Sequence, residues 1–146
     1  MAGRAAVILA AGQGTRMRSE LPKVLHQVGG RAMVDWSVAL AHAVGCERVI
    51  VVCSPGGQAV QDHVAATLGK DAIAIQAPPL GTGHAVLAAQ SALQGFEGEL
   101  VVLYGDTPLI PADAVEALFA ELQGGAAVGV LGFEAVDPGA YGRLIT

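Results

Sequence analysis

Apolar runs of strand type alternate along this chain with stripes of helical spacing. "AAVILAA", Ala5 to Ala11, is a continuous apolar run, the pattern of a strand covered on both faces. Met33, Trp36, Leu40 and Val44 then recur at helical spacing, and Gly45 closes the stripe. "RVIVVC", Arg48 to Cys53, reads as a second buried strand. Val60, Val64 and Leu68 form the next stripe, closed by Gly69. "AIAIQ", Ala72 to Gln76, is a short third strand, and Thr82 to Leu93 an alanine-rich helix. "ELVVLYGD", Glu99 to Asp106, is a fourth strand running into a turn. Val115, Leu118, Phe119 and Leu122 make a further helical stripe, and "AAVGVLGF", Ala126 to Phe133, a fifth strand. Tyr141 to Thr146 alternates like a strand and stops with neither cap nor polar tail, so the chain reads as cut within its domain. Repeated strand–helix alternation predicts an α/β, Rossmann-like fold: a mostly parallel sheet, right-handed crossovers and helices on both faces. No internal repeat, low-complexity tract or linker interrupts it.

Composition narrows the class. The chain has 146 residues, 53% hydrophobic and 14% charged, which suits one domain with a real core. No apolar run is long enough to span a bilayer. Arg4 ahead of "AAVILAA" raises a signal peptide, but the run is short and Arg16 and Arg18 follow it closely. Cys46 and Cys53 are too few for a disulfide framework and lack metal spacing, so they read as buried free thiols of a cytoplasmic protein.

Charge is unevenly placed. The first 31 residues hold five cations (Arg4, Arg16, Arg18, Lys23, Arg31) against one acid, Glu20, a net +4. The rest holds three cations against twelve acids, a net −9. An acidic remainder disfavours nucleic acid as a partner. A local basic focus suits a small anion such as a nucleotide phosphate.

In open parallel sheets, ligands sit beyond the carboxyl ends of the strands. Four loops qualify: 11–23, 53–57, 76–84 and 104–111. In the first, Gly12 and Gly14 allow close backbone approach to phosphate, Arg16 offers a bidentate fork and Lys23 a point charge. A dinucleotide-binding turn wants a third glycine where Met17 stands, and a Walker loop wants Gly-Lys-Ser/Thr, which is absent. A triphosphate held by another device remains, against a tight turn with solvated basic residues. In the third loop Pro78 and Pro79 add stiffness and Gly81 and Gly83 flank Thr82, itself a plausible N-cap. Gln76 has both donor and acceptor to read a base edge, or is simply a polar strand end. His84 lies in the first helical turn, where a structural role suits it better than a catalytic one. Asp106 follows a buried strand and suits Mg²⁺ beside phosphates, or stabilises its own turn. His26, His42 and His63 form no metal or triad spacing, and there is no G-x-S-x-G elbow. Nothing argues for covalent catalysis.

"LAAGQGTRMRSELPKVLH", "QAPPLGTGHA", "LYGDTPLI" and "YGR" occur in that order. Together they resemble the uridylyltransferase half of the bacterial bifunctional family that combines UDP-N-acetylglucosamine pyrophosphorylase with glucosamine-1-phosphate acetyltransferase. The resemblance runs from Val7 to Thr146. It implies a nucleotide-diphospho-sugar transferase fold, with residues 1–146 as the nucleotide-binding portion of a nucleotidyltransferase domain incomplete at its C-terminus. It implies that Leu9, Ala10, Ala11, Gly12 and Gly14 hold the nucleotide, with Arg16 on its phosphates and Lys23 at the reacting phosphate. Gln76 would read uracil, with Gly81 and Thr82 beside it. Tyr104 and Gly105 would line the site, Asp106 would hold Mg²⁺, and Gly142 would present its backbone to the sugar. The implied reaction joins UTP and N-acetylglucosamine 1-phosphate into UDP-N-acetylglucosamine and pyrophosphate, for cell-wall precursor synthesis. Neither nucleic acid nor membrane is an implied partner. The family's homotrimer is built by an acetyltransferase domain that these residues do not include. A nucleotide-binding portion without catalysis in isolation, and a transferase for another sugar phosphate, are the alternatives.

Overall fold

A computed structural model describes residues 3–12 and 17–144. In chain order these form β1 (Gly3–Leu9), β2 (Gln27–Val28), β3 (Arg31–Ala32), α1 (Met33–Ala43), β4 (Arg48–Cys53), α2 (Gln58–Thr67), β5 (Ile73–Ile75), α3 (Thr82–Ala88), β6 (Gly98–Tyr104) and α4 (Ala112–Gln123). Short 3₁₀ turns lie at Lys23–Leu25, Lys70–Ala72 and Ser91–Leu93. Four strands make one parallel sheet in the order β5-β4-β1-β6, and β2 and β3 form a small antiparallel hairpin. The α/β, Rossmann-like architecture is the one the alternating pattern predicts.

The apolar run of β1 explains its central place. Ala5, Ala6, Val7 and Ile8 are all fully buried, so both faces must be covered. One face packs Ala6 and Ile8 against Val34 and Ala41 of α1, Val60 and Val64 of α2, and Val115 and Phe119 of α4. The other sets Val7 with Ile50, Val52 and Ala74 against Ala85 and Ala89, at α3. Helices therefore cover both faces, three against one.

Local differences from the sequence pattern have physical causes. In α1 the buried residues are Met33, Val34, Ser37 and Ala41. Of the stripe the sequence suggests, Met33 and Val44 are buried and Leu40 packs against the core, but at Trp36 the core position passes to its neighbour Ser37. Small residues let the helix approach the sheet closely, and the large Trp36 turns outward. Its indole Nε1 donates to the Val28 carbonyl at 2.9 Å, and the Arg31 guanidinium stacks on its ring at 4.7 Å. The helix expected over Thr82 to Leu93 is split into α3 and the 3₁₀ turn at Ser91–Leu93. Thr82 is the first helical residue and no cap: Gly81, at φ 100°, holds the cap position.

The fifth strand, expected at Ala126 to Phe133, is absent from the described structure. These residues form no ladder, and Val128, Val130, Leu131 and Phe133 are exposed. The tail from Tyr141 also has no strand in its described part. A strand forms only with a neighbour, and β6 pairs with β1 alone among the described residues. Leu100, Val102 and Tyr104 of β6 are likewise exposed, opposite Val101 and Leu103, which face the core.

Arg4 anchors the amino end of the sheet. Its guanidinium lies 4.1 Å over the Phe119 ring, donates to the Val44 carbonyl at 2.8 Å and to Glu116 at 3.0 Å, and stands 3.5 Å from Glu99. One side chain thus ties β1 to α1, α4 and β6. Phe119, 1% exposed, is the ring on which it rests. Phe119→Ala should lower the unfolding free energy by about 3 to 5 kcal/mol, read by urea denaturation. An unchanged midpoint would show that α4 is not part of the core.

Cys46 and Cys53 are free and buried, as the cysteine count suggests. Burial pushes both thiols from 9.0 up to about 11; at Cys46 the Arg4 guanidinium opposes the rise and Glu116 adds to it. In the unfolded chain the thiols ionise first as pH climbs. Their contribution to stability is therefore complete below about pH 9 and falls as pH rises through about 11. Urea midpoints measured from pH 8 to 11 should decline, and less steeply in Cys53→Ala. A decline of the same slope in that variant would remove Cys53 as a cause.

Candidate functional site

Strand register brings three loops to one rim. Leu9 stands opposite Val52 on one side and Tyr104 on the other. Backbone bonds continue one residue past the strands: Ala10 N–H to the Val52 carbonyl (2.8 Å), Gly105 N–H to the Leu9 carbonyl (2.9 Å) and Gln76 N–H to the Cys53 carbonyl (2.9 Å). Beyond this rim opens a cavity of about 530 Å³, within the usual range for small-molecule sites.

Lys23 and Asp106 meet in that cavity. Lys23 comes from the 3₁₀ turn that follows Pro22, and Asp106 from the turn after β6. Lys23 Nζ donates to Asp106 Oδ2 at 2.8 Å, both side chains about one-third exposed. The pair is therefore wet and exchangeable, not a sealed structural bridge. The Asp106 turn is held from behind. The Tyr104 carbonyl accepts from the Ser37 hydroxyl at 2.8 Å and the Thr107 hydroxyl at 3.1 Å. Gly105 is buried, and a Cβ there would come within 3.2 Å of the Leu9 carbonyl and of Val24 Cγ1. Glycine is what lets the turn press onto the end of β1.

Gln76 closes the β5 side. It is only 6% exposed, and Nε2 donates to the Gly81 carbonyl at 3.0 Å. The same nitrogen lies 3.3 Å from His84 Nδ1.

The cavity brings together most of the residues singled out in the sequence. Leu9, Ala10, Ala11, Gly12, Lys23, Gln76, Gly81, Thr82, Tyr104 and Asp106 line it. Gly105 lies just beneath as part of the rim. Gly14 and Arg16 lie outside the described residues. Gly142 is exposed in the irregular C-terminal segment and does not line the cavity. Met17, Val24, Pro79 and Ala85 also line it; Met17 and Pro79 lie in loops the sequence marks but are not themselves expected to line a site, and Val24 and Ala85 are ordinary apolar residues in sequence. Ser37 was hidden in the same way; its signal is a polar residue on the sheet-facing positions of α1.

The basic focus of the first 31 residues is not one focus in space. Arg4 sits at the opposite end of β1 with Glu99 and Glu116, and Arg31 stacks on Trp36. Of the described cations in that stretch, Lys23 alone lines the cavity. Among the described residues no group of three or more His, Cys, Asp or Glu could hold a metal, so Asp106 is a single carboxylate donor. No described helix is long and apolar enough to cross a membrane.

Comparison with known proteins agrees with this geometry. The chain is 62% identical over 147 residues to the bifunctional protein GlmU of Hyphomonas neptunium, covering 98% of this chain and 31% of that protein. It is 57% identical to the bifunctional protein GlmU of Maricaulis maris, with the same shares. The chain thus spans about a third of the length of these relatives. Among solved structures, the inositol-1-phosphate CTP transferase of T. maritima matches with a TM-score of 0.64 at 25% identity, over 80% of this chain and 48% of that one. A UDP-glucose pyrophosphorylase from Acinetobacter baumannii shares the fold at a TM-score of 0.63 and 21% identity, over 85% of this chain and 53% of that one. Residues 6–143 match the model of the MobA-like NTP transferase domain, and the chain belongs to that family.

Proposed function

We propose that this chain supplies the nucleotide-binding side of a uridylyltransferase site, joining UTP and N-acetylglucosamine 1-phosphate into UDP-N-acetylglucosamine and pyrophosphate. The observation that carries this reading is the Lys23–Asp106 pair, 2.8 Å apart, in the cavity that Gln76 and Gly81 also line. A cation and a carboxylate serve the phosphate end, and a buried amide serves the base end. The four ordered motifs and the family membership support the same reading.

In this mechanism an oxygen of the sugar phosphate attacks the α-phosphorus of UTP. The bond from that phosphorus to the bridging oxygen breaks, and pyrophosphate leaves with the electron pair. The nucleophile is already ionised, so no general base is required; positioning and charge neutralisation do the work. Lys23 holds the attacking phosphate near the α-phosphate, and Arg16 offsets charge on the leaving pyrophosphate. Asp106 fits a hard divalent cation: its carboxylate already binds a cation, Lys23, in a partly exposed position. Asp106 would be the carboxylate that this chain contributes to Mg²⁺, and the bound ion would neutralise phosphate charge. Gly142 is the residue proposed to face the sugar.

A coupled pyrophosphate-release assay tests the reading, with UTP, CTP, GTP and dTTP offered in parallel. Release should require UTP, N-acetylglucosamine 1-phosphate and Mg²⁺ together. Binding of UTP without release would reduce the function of this chain to nucleotide binding, and no nucleotide binding would overturn the reading. Asp106→Ala should lower turnover by about 100-fold or more and flatten the Mg²⁺ titration. An unchanged titration would refute the ligand role. Arg16→Ala should cut turnover with an unchanged circular dichroism spectrum; near-normal turnover would remove Arg16 from the mechanism.

A further inference from the structure

Gln76 is held in one orientation by two different acceptors. The Gly81 carbonyl can only accept, so the atom 3.0 Å from it must be the amide nitrogen. The amide carries two hydrogens. One serves Gly81, and the second points to His84 Nδ1 at 3.3 Å. His84 Nδ1 must then be the bare nitrogen of its ring, with the hydrogen on Nε2. Both donor positions of Gln76 are thereby used inside the protein. Its Oε1 has no protein partner among the described residues, yet no described buried polar atom is left unsatisfied. That oxygen therefore reaches the cavity that Gln76 lines.

We infer that His84 is a specificity-determining positioning residue: it accepts the second amide hydrogen of Gln76, so that Gln76 offers the nucleobase an acceptor and no donor. An acceptor there favours a base with a ring N–H, as uracil has at N3. It opposes a base with a bare ring nitrogen at that place, as cytosine has. A mismatched pair would set two acceptors face to face in a site that cannot rotate the amide without losing both internal bonds. The inference rests on the nucleotide-binding reading above, and gives the β5 side of the cavity a definite hydrogen-bonding polarity.

Calorimetric titration of the chain with UTP and with CTP, in Mg²⁺, measures the Kd ratio between the two. The parent should prefer UTP. In His84→Ala, which keeps helix propensity but removes the acceptor, the preference should shrink about five- to tenfold, the worth of one such hydrogen bond. In His84→Asn the side-chain oxygen sits on Cγ as Nδ1 does, so the preference should stay near the parent value. Inorganic tripolyphosphate, which has no base, should bind all three forms equally. Should His84→Ala fail to fold, His84→Leu removes the same acceptor and takes its place. A parental UTP preference in His84→Ala overturns the inference, as does an equal loss in His84→Ala and His84→Asn. A parent that binds UTP and CTP alike also overturns it while leaving nucleotide binding standing. A parent that binds neither nucleotide fails at the earlier reading.

Discussion

β1 is hydrogen-bonded along both edges and buried on both faces, and the candidate site is built on its end. Its register with β4 and β6 places Leu9, Val52 and Tyr104 level, and the ladder then runs one residue further into three loops. A slip of one residue would exchange the side chains that face α1, α2 and α4 with those that face α3. Ala6 and Ile8 would trade places with Ala5 and Val7 in two close-packed layers, which do not tolerate such volume changes. The same slip would move the Gly12 loop away from Asp106. Core packing and site geometry are therefore one constraint.

The charges are divided by this strand. At its amino end Arg4 is spent on structure, bound to Val44, Glu116 and Glu99 and laid over Phe119. Past its carboxyl end Lys23 faces Asp106 in partly exposed surroundings. The first arrangement leaves the guanidinium committed to protein partners. The second leaves an ammonium and a carboxylate that can each exchange partner for a phosphate or a metal at modest cost. Five residues of strand, Ala5 to Leu9, separate Arg4 from the carboxyl end and keep the two kinds of cation apart.

The rim also separates polar tasks by burial. Ser37 and Gln76 are the buried polar residues among those described. Each sends one donor to a backbone carbonyl at the rim, Ser37 to Tyr104 and Gln76 to Gly81. Buried polar groups need partners, so these two act as fixed braces and not as free side chains. The Lys23–Asp106 pair, being wetter, is the adjustable part.

Periodicity alone determined that strands and helices alternate, that β1 is covered on both faces and that the loops lining the cavity follow the strands. These are local properties: apolar runs, helical spacing and glycine stops act within a few residues. The residues that carry the proposed site were legible in the same way, because unusual glycines, Lys23, Gln76 and Asp106 stand where buried strands end. Tertiary structure decided what depends on a neighbour far away in sequence. It turned α1 so that small residues meet the sheet and Trp36 meets the hairpin, and it sent Arg4 and Lys23 to opposite ends of one strand. It left Ala126 to Phe133 without a ladder, since pairing needs a partner edge and not merely a β-type run. It set the direction of the Gln76 amide, which no spacing rule reveals, because that direction is fixed by a carbonyl five residues away and a ring nitrogen eight residues away.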